Sequence, residues 1–247
     1  GDFADEACDE LRIGAFVDLR GRPDLPDRPG VACMNSVRKT FRREGEDQRR
    51  RELVEATLAC IAALGLEHTT VREIAVRAGV TPGLIRHYFA GKDELVLAAY
   101  HWHVESMASA SQLAIASAGD DPVAQLAAFV SGNLSPPILD PANLSLWAAF
   151  ITTVRTDALM ADVHGEGYGR YRIEAERLLK QAAAATGRQF SPTQIRNLGI
   201  AVNAIIDGLW LEGSMAGAEF RHGELAEIGL AAVSSLTGIA LNTNGAT

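Results

Sequence analysis

Residues 70–95 read TVREIAVRAGVTPGLIRHYFAGKDEL, and their polar side chains suit recognition rather than turnover. Arg72 leaves the start of one short helical segment with a guanidinium able to grip guanine O6 and N7 together, as arginine does in a major groove. Its other reading is an exposed cation paired with Glu73 or Glu67. Thr81 and the N–H groups behind it open a second helical segment, where backbone donors and the helix dipole attract a phosphate. Pro82 and Gly83 keep the front of that segment thin, so its backbone can approach base edges. Arg86 follows as a base contact or a solvated charge. The chemistry implied is hydrogen bonding and ion pairing to nucleic acid.

The elements that hold these groups are legible in the same stretch. Thr70 can cap a helix on which Ile74, Ala75 and Ala78 share one face. Gly79 supplies the left-handed position that ends it sharply, and Val80 drops into the angle between helices. Thr81 caps the next helix and Pro82 takes its first position, where a missing N–H costs nothing. Leu84, Ile85, Tyr88 and Phe89 then face inward, leaving Gly83, Arg86, His87 and part of Tyr88 outward. This is a helix-turn-helix with residues 81–89 as the recognition helix.

The pattern Thr-Val-x-x-Ile-Ala-x-x-Ala-Gly-Val-Thr-x-Gly-x-Ile-x-x-Tyr-Phe-x-x-Lys-Asp-x-Leu resembles the DNA-binding signature of the TetR family of bacterial repressors. The match runs without a gap from residue 49 to about 100, with RRRELVEATLACIAALG standing where that family has its first helix. The resemblance implies that Arg72 touches a base or phosphate at the groove edge, that His87 and Tyr88 are further contacts, and that Lys92 is a phosphate clamp. MNSVRKTFRREGEDQRRREL, from Met34, resembles the usual start of such a regulator, so residues 34–46 are expected as a basic arm. Arg38, Lys39, Arg42 and Arg43 in it can enter a minor groove or remain solvated. The competing reading of the whole stretch is an αα-hairpin that never meets DNA.

Charge is divided in a way that fits. The net −8 hides 11 Lys/Arg against 9 Asp/Glu in residues 34–95, while residues 96–247 hold 8 against 14. The positive excess lies in the segment that would meet phosphate, and the acidic remainder would be repelled, which orients the protein on its target. A general nucleic-acid coat protein is excluded by that balance. No apolar run reaches the roughly 18–20 residues needed to span a bilayer. Cys8, Cys33 and Cys60 suit a reducing compartment, and the acidic N-terminal stretch lacks a signal pattern, so the expected location is cytoplasmic. Residues 1–33, with GRPDLPDRPG, show no apolar periodicity and are expected to be a disordered or non-native extension.

The rest of the chain is expected to be all-α, with about nine helices: three in a DNA-binding domain over 47–107, one linking, five behind. A ligand-binding and dimerisation domain over 108–240 and a flexible tail over 241–247 complete the division. Helices are expected over 92–118, 122–134, 141–156, 166–185, 193–216 and 223–236. IDGLWLEG (206–213) and LSLWAAF (144–150) resemble the choline-responsive, BetI-type branch of the family. Residues 193–216 are apolar on more than one face, which calls for a core on one side and a partner on the other. With Leu225, Ile228, Val233 and Leu236 on the last helix, a homodimeric four-helix bundle follows.

Trp102, Trp147, Phe150, Tyr168, Tyr171 and Trp210 come from several helices and can line one cavity, with Glu212, Asp207 or Asn203 as a counter-charge for a cation. Ordinary core packing is the competing reading, and a neutral hydrophobic ligand suits the Leu/Ile/Ala-rich remainder as well. No metal or other cofactor is expected: His101, His103 and Glu105 lack the i, i+4 spacing of a helical metal site. A phosphate loop after a strand and a hydrolase elbow are missing too. The expected function is a sequence-specific repressor that binds a palindromic operator in double-stranded DNA and is released by a small-molecule inducer. Its rival is an all-α binding protein or enzyme with a vestigial hairpin. Beginning the chain at Met34 should leave folding, dimerisation and DNA binding unchanged, and a melting temperature many degrees lower would mean that the extension packs on the body.

Overall fold

The computed structural model describes the backbone of residues 32–216 and 219–242, with side chains from residue 45 onward. Among these residues there are nine helices and no strand: α1 (Ala32–Leu64), α2 (Val71–Arg77), α3 (Pro82–Tyr88), α4 (Lys92–Ser117), α5 (Pro122–Asn133), α6 (Pro141–Val154), α7 (Ala158–Ala185), α8 (Pro192–Ala216) and α9 (Glu224–Thr237). The all-α expectation and the helix count hold. Residues 1–31 and 243–247, and with them most of the expected extension and tail, lie outside the described residues. The stretch expected as a basic arm, 34–46, is helical and continuous in the chain with α1. Packing is described for residues 45–216 and 219–242, which belong to one compact unit.

Local chemistry starts most of these helices. At α2, Thr70 and Glu73 cap reciprocally: the Thr70 hydroxyl accepts from the Glu73 N–H at 3.3 Å, and the Thr70 N–H donates to the Glu73 carboxylate at 2.7 Å. The carboxylates of Asp121, Asp140 and Asp157 accept from the first turns of α5, α6 and α7 at 3.0, 2.7 and 2.9 Å. Each such cap is worth about 1 kcal/mol. Asp157 also explains why α7 begins at Ala158 rather than near residue 166. The helix runs through Gly165, Gly167 and Gly169. At Gly167 a Cβ would stand 2.5 Å from Val104 Cγ1 on α4, so the glycine serves close helix approach.

Three apolar clusters fill the unit. Leu53, Ile74, Ala75, Ile85, Phe89, Leu95 and Ala99 form the core of the helix-turn-helix. Ile61, Val96, Tyr100, Leu146, Phe150 and Met160 join it to the body. The largest cluster, including Leu126, Phe129, Leu178, Ile195, Val202 and Val233, fills the space among α5, α7, α8 and α9. α4 contributes to all three, so the expected domain limit at 107/108 falls inside a continuous helix. Leu241, expected in the tail, is buried, and its N–H donates to Ser234 Oγ at 2.9 Å. No described helix is long and apolar enough to cross a membrane.

The α4–α7 seam is testable with two alanines. Val104 is β-branched and stiff in a helix, so Gly167→Ala should cost about 1–3 kcal/mol through overpacking. Gly169→Ala, with nothing within 4 Å of the added Cβ, should gain about 0.5–1 kcal/mol from helix propensity. Thermal unfolding that moves both variants in the same direction would refute this account of the seam.

Candidate nucleic-acid interface and the aromatic cluster behind it

The turn between α2 and α3 is built as the sequence demands. Gly79 has φ +64°, and the Val80 N–H donates back to the Ala75 carbonyl at 2.9 Å. Thr81 caps α3 by accepting from the Leu84 N–H at 3.3 Å. Ile85 and Phe89 are buried, and Pro82, Gly83, Arg86 and His87 are exposed. A Cβ at Gly83 would meet only Thr81 Oγ1, at 3.8 Å, so packing does not require a glycine there. The His87 and Tyr88 rings meet edge to face at 5.1 Å, with Tyr88 half-buried.

Arg72 is exposed on α2. Its expected rival partner Glu73 is engaged in the Thr70 cap, which together with nearby His68 and Lys92 holds that carboxyl below its ordinary range. Lys92 differs from expectation in one respect. Its ammonium donates to the Leu66 carbonyl at 2.9 Å, so one of its donors ties α4 to the loop before α2, leaving two for a phosphate. Arg72, Thr81, Pro82, Gly83, Arg86 and His87 are all exposed, with Tyr88 and Lys92 half-buried beside them.

Arg50 is a positioning residue that sequence reading missed. From α1 its guanidinium donates to the Tyr88 carbonyl at 2.6 Å and lies over the Phe89 ring, 4.4 Å from the centroid. A cation at the last carbonyls of a short helix satisfies an acceptor and complements the dipole. The signal was present: Arg50 precedes Leu53, Val54 and Thr57 at the spacing of one helical face, and those three are buried. Arg49 pairs with Glu52 instead, and Arg51 is exposed.

Behind the DNA-binding core, part of the expected aromatic set converges. Trp147 of α6 meets Trp210 of α8 edge to face at 6.2 Å. Burial and the nearby Asp207 carboxylate raise the pKa of both Tyr168 and Tyr171, with Trp147 beside Tyr168 acting in the opposite direction. Asp207 is exposed, yet the protein atoms around its carboxyl displace enough water to raise its pKa to about 6, against a bond from Asn203 at 2.7 Å. Glu212, five residues further along α8, is exposed as well and has no resolved contact with these rings.

Two members of the set belong elsewhere. Trp102 packs on the helix-turn-helix core, because it shares the face of α4 that carries Leu95 and Ala99. Phe150 falls on the face of α6 with Leu146 and packs on Tyr100, centroids 4.6 Å apart, in the junction cluster. Close by, burial lowers His103 to about 4 and raises Tyr100 to about 12. The Tyr100 hydroxyl hydrogen-bonds His164 Nδ1 at 2.8 Å, and the His164 ring stacks on Tyr168 at 4.4 Å.

Comparison with known proteins agrees with both halves. Residues 53–99 match the family described as bacterial regulatory proteins, tetR family, and residues 122–238 match the BetI-type transcriptional repressor C-terminal family. The HTH-type transcriptional regulator BetI of Stenotrophomonas maltophilia is 33% identical over 177 residues, covering 71% of this chain and 86% of that protein. Its namesake in Serratia proteamaculans is 30% identical over 178 residues, 71% of this chain and 86% of that one. Among solved structures, a transcriptional regulator from Pseudomonas aeruginosa PAO1 superposes with TM-score 0.70 at 34% identity, over 78% of this chain and 91% of its own. A regulator from Saccharomonospora viridis, solved in complex with choline, shares the fold with TM-score 0.63 at 18% identity, over 78% of this chain and 96% of its own.

Removing the Arg50 side chain should loosen the end of α3 without touching DNA. Arg50→Ala should weaken operator binding about tenfold, the scale of one lost charged hydrogen bond, with the slope of affinity against salt unchanged. Arg72→Ala should instead flatten that slope if it meets phosphate, or relax base preference if it meets guanine. A flattened slope in Arg50→Ala would make Arg50 a phosphate contact and refute its positioning role.

Proposed function

The chain belongs to the TetR family of bacterial regulatory proteins, with a C-terminal half of BetI type, and from that premise we propose a dimeric repressor released from a palindromic operator by a cationic small molecule. Transcriptional regulation through DNA binding is the family's activity; the cation and the dimer are the added claims. The observation that carries the cation is the convergence of Trp147, Tyr168, Tyr171 and Trp210 with the carboxyl of Asp207. Aromatic faces attract a cation through their quadrupole, and a positive charge entering protein needs a compensating carboxylate. The choline-bound neighbour shares only the fold, so choline is a probe here and not a conclusion.

The dimer rests on a stripe along α8 and α9. Ile200, Ala204, Gly208, Leu211 and Met215 recur at helical spacing and are exposed, Met215 to 73%, with Ile228 and Leu236 exposed on α9. The opposite face of α8 buries Ile195, Gly199, Val202 and Ile206 in its own core. Two copies joined across that stripe would set two recognition helices about one DNA turn (~34 Å) apart. A cation seated between α6, α7 and α8 would move α7 against α4, to which it is tied by Tyr100 with His164 and by the ion pair of Arg170 with Glu105. Tilting α4 would then misalign the recognition helices.

Asp207 gives the test its sign. Its raised pKa means that it is charged above about pH 6 and neutral below, while Tyr168 and Tyr171, both raised, stay protonated throughout. Affinity for choline, read by tryptophan fluorescence, should therefore fall about tenfold between pH 7.5 and 5, following the lost carboxylate fraction. Asp207→Asn should bind weakly at both pH values. Operator release by a neutral isostere but not by cations would remove the cage and leave a regulator with a neutral inducer.

A further inference from the structure

Glycine inside a helix costs stability relative to alanine. At Gly132, Gly167 and Gly229 the packing requires it, because a Cβ would stand 2.5 or 2.6 Å from Ala114, Val104 or Leu134. Gly83 has no such reason within the protein. It lies in α3 on ordinary helical backbone, without the positive φ of Gly79, and it is exposed. An added Cβ would meet only Thr81 Oγ1, at an ordinary contact distance of 3.8 Å, and that oxygen is occupied in capping the Leu84 N–H. Arg86 and His87 follow at i+3 and i+4, so they share the Gly83 face of α3, and both are exposed. Long side chains on a helix lean back over the preceding turn, which leaves Gly83 as a bare spot flanked by two polar groups. The His87 ring meets Tyr88 edge to face at 5.1 Å, so one flank is itself packed.

Base edges in a major groove present hydrogen-bond donors and acceptors, and one projecting apolar group, the 5-methyl of thymine. Gly83 has no side chain with which to pair a donor or acceptor; it offers only an apolar Cα set back between Arg86 and His87. Resting on α3 as the recognition helix, we infer that Gly83 is a specificity-determining residue of the DNA interface, seating a thymine methyl against its Cα at a distance that any side chain would prevent. Arg86 and His87 then reach the polar groups on either side of that thymine. Cytosine in the same place lacks the methyl and leaves the spot unfilled. The fold thus carries a glycine it does not need so that the helix can approach the bases closely.

The test begins with an operator selected from a pool of random DNA duplexes by the full chain. Gly83→Ala should bind that duplex about tenfold more weakly than wild type, the scale of one base contact, with the slope of affinity against salt unchanged because no phosphate contact is lost. Each thymine of the half-site is then replaced in turn by deoxyuridine, which removes only the methyl group. At one position the loss caused by Gly83→Ala should shrink to about threefold or less, since the added Cβ no longer meets a methyl. Gly83→Ala should melt no lower than wild type, and Gly169→Ala, equally open on α7, should bind DNA as wild type does. Full affinity in Gly83→Ala, a loss that stays the same at every deoxyuridine, or a melting temperature several degrees lower would each overturn the inference and leave α3 as the recognition helix. Selection that yields no preferred sequence would overturn both.

Discussion

One helix is packed into every core of the body, and any coupling between DNA and ligand has to run along it. α4 spans 26 residues, about 39 Å at the helical rise. Leu95 and Ala99 near its start are buried in the helix-turn-helix core, Val96 and Tyr100 in the junction, and Ile115 near its end in the main core. Lys92, its first residue, is tied to the loop before α2 by a hydrogen bond at 2.9 Å. The recognition helix therefore cannot shift against α4 without breaking a packed core, and α4 is joined to α7 by the close approach of Val104 to Gly167, the Tyr100–His164 hydrogen bond and the Arg170–Glu105 ion pair. A displacement of α7 would therefore be passed to α4 and the helix-turn-helix.

The DNA-binding half was legible because its instructions are local. The Thr70 and Thr81 caps, the Gly79 turn and the alternation of Ile74, Ala75, Ile85 and Phe89 each act within a few residues, and all are found in place. What escaped reading depends on neighbours distant in sequence. Arg50 clasps a carbonyl 38 residues away. The first turns of α7, residues 158–165, lay outside the expected helix, and the need for Gly167 shows only once Val104 is seen against it. Trp102 and Phe150 were grouped with the other aromatics by type, and only the phase of their helices separates them. Asp207 was one of three acidic or amide candidates, and its raised pKa follows from crowding by residues of other helices, which a sequence does not display.

The two faces of α8 show how far composition can be pushed. Apolar residues all round the helix implied two partners. The structure assigns Ile195, Val202 and Ile206 inward and leaves Ile200, Leu211 and Met215 outward. An exposed apolar stripe of this kind marks an interaction surface, and the proposed two-fold bundle is one that would cover it. The same helix turns Asp207 and Trp210 toward the aromatic cluster. The proposed ligand contact and the proposed dimer surface thus share one element, so a ligand in the cluster would be placed to alter the mutual orientation of two copies.

The central claim is that a bound cation moves the recognition helices relative to each other through α4. Replacing Cys8, Cys33 and Cys60 with alanine and attaching a spin label at Ala90→Cys, just after the recognition helix, allows the distance between two copies to be read by pulsed electron resonance. The account predicts a single label-to-label distance without ligand and a shift of several ångströms once choline is bound, as expected for reorientation of rigid bodies. An unchanged distance at a choline concentration that calorimetry shows to be saturating would contradict it.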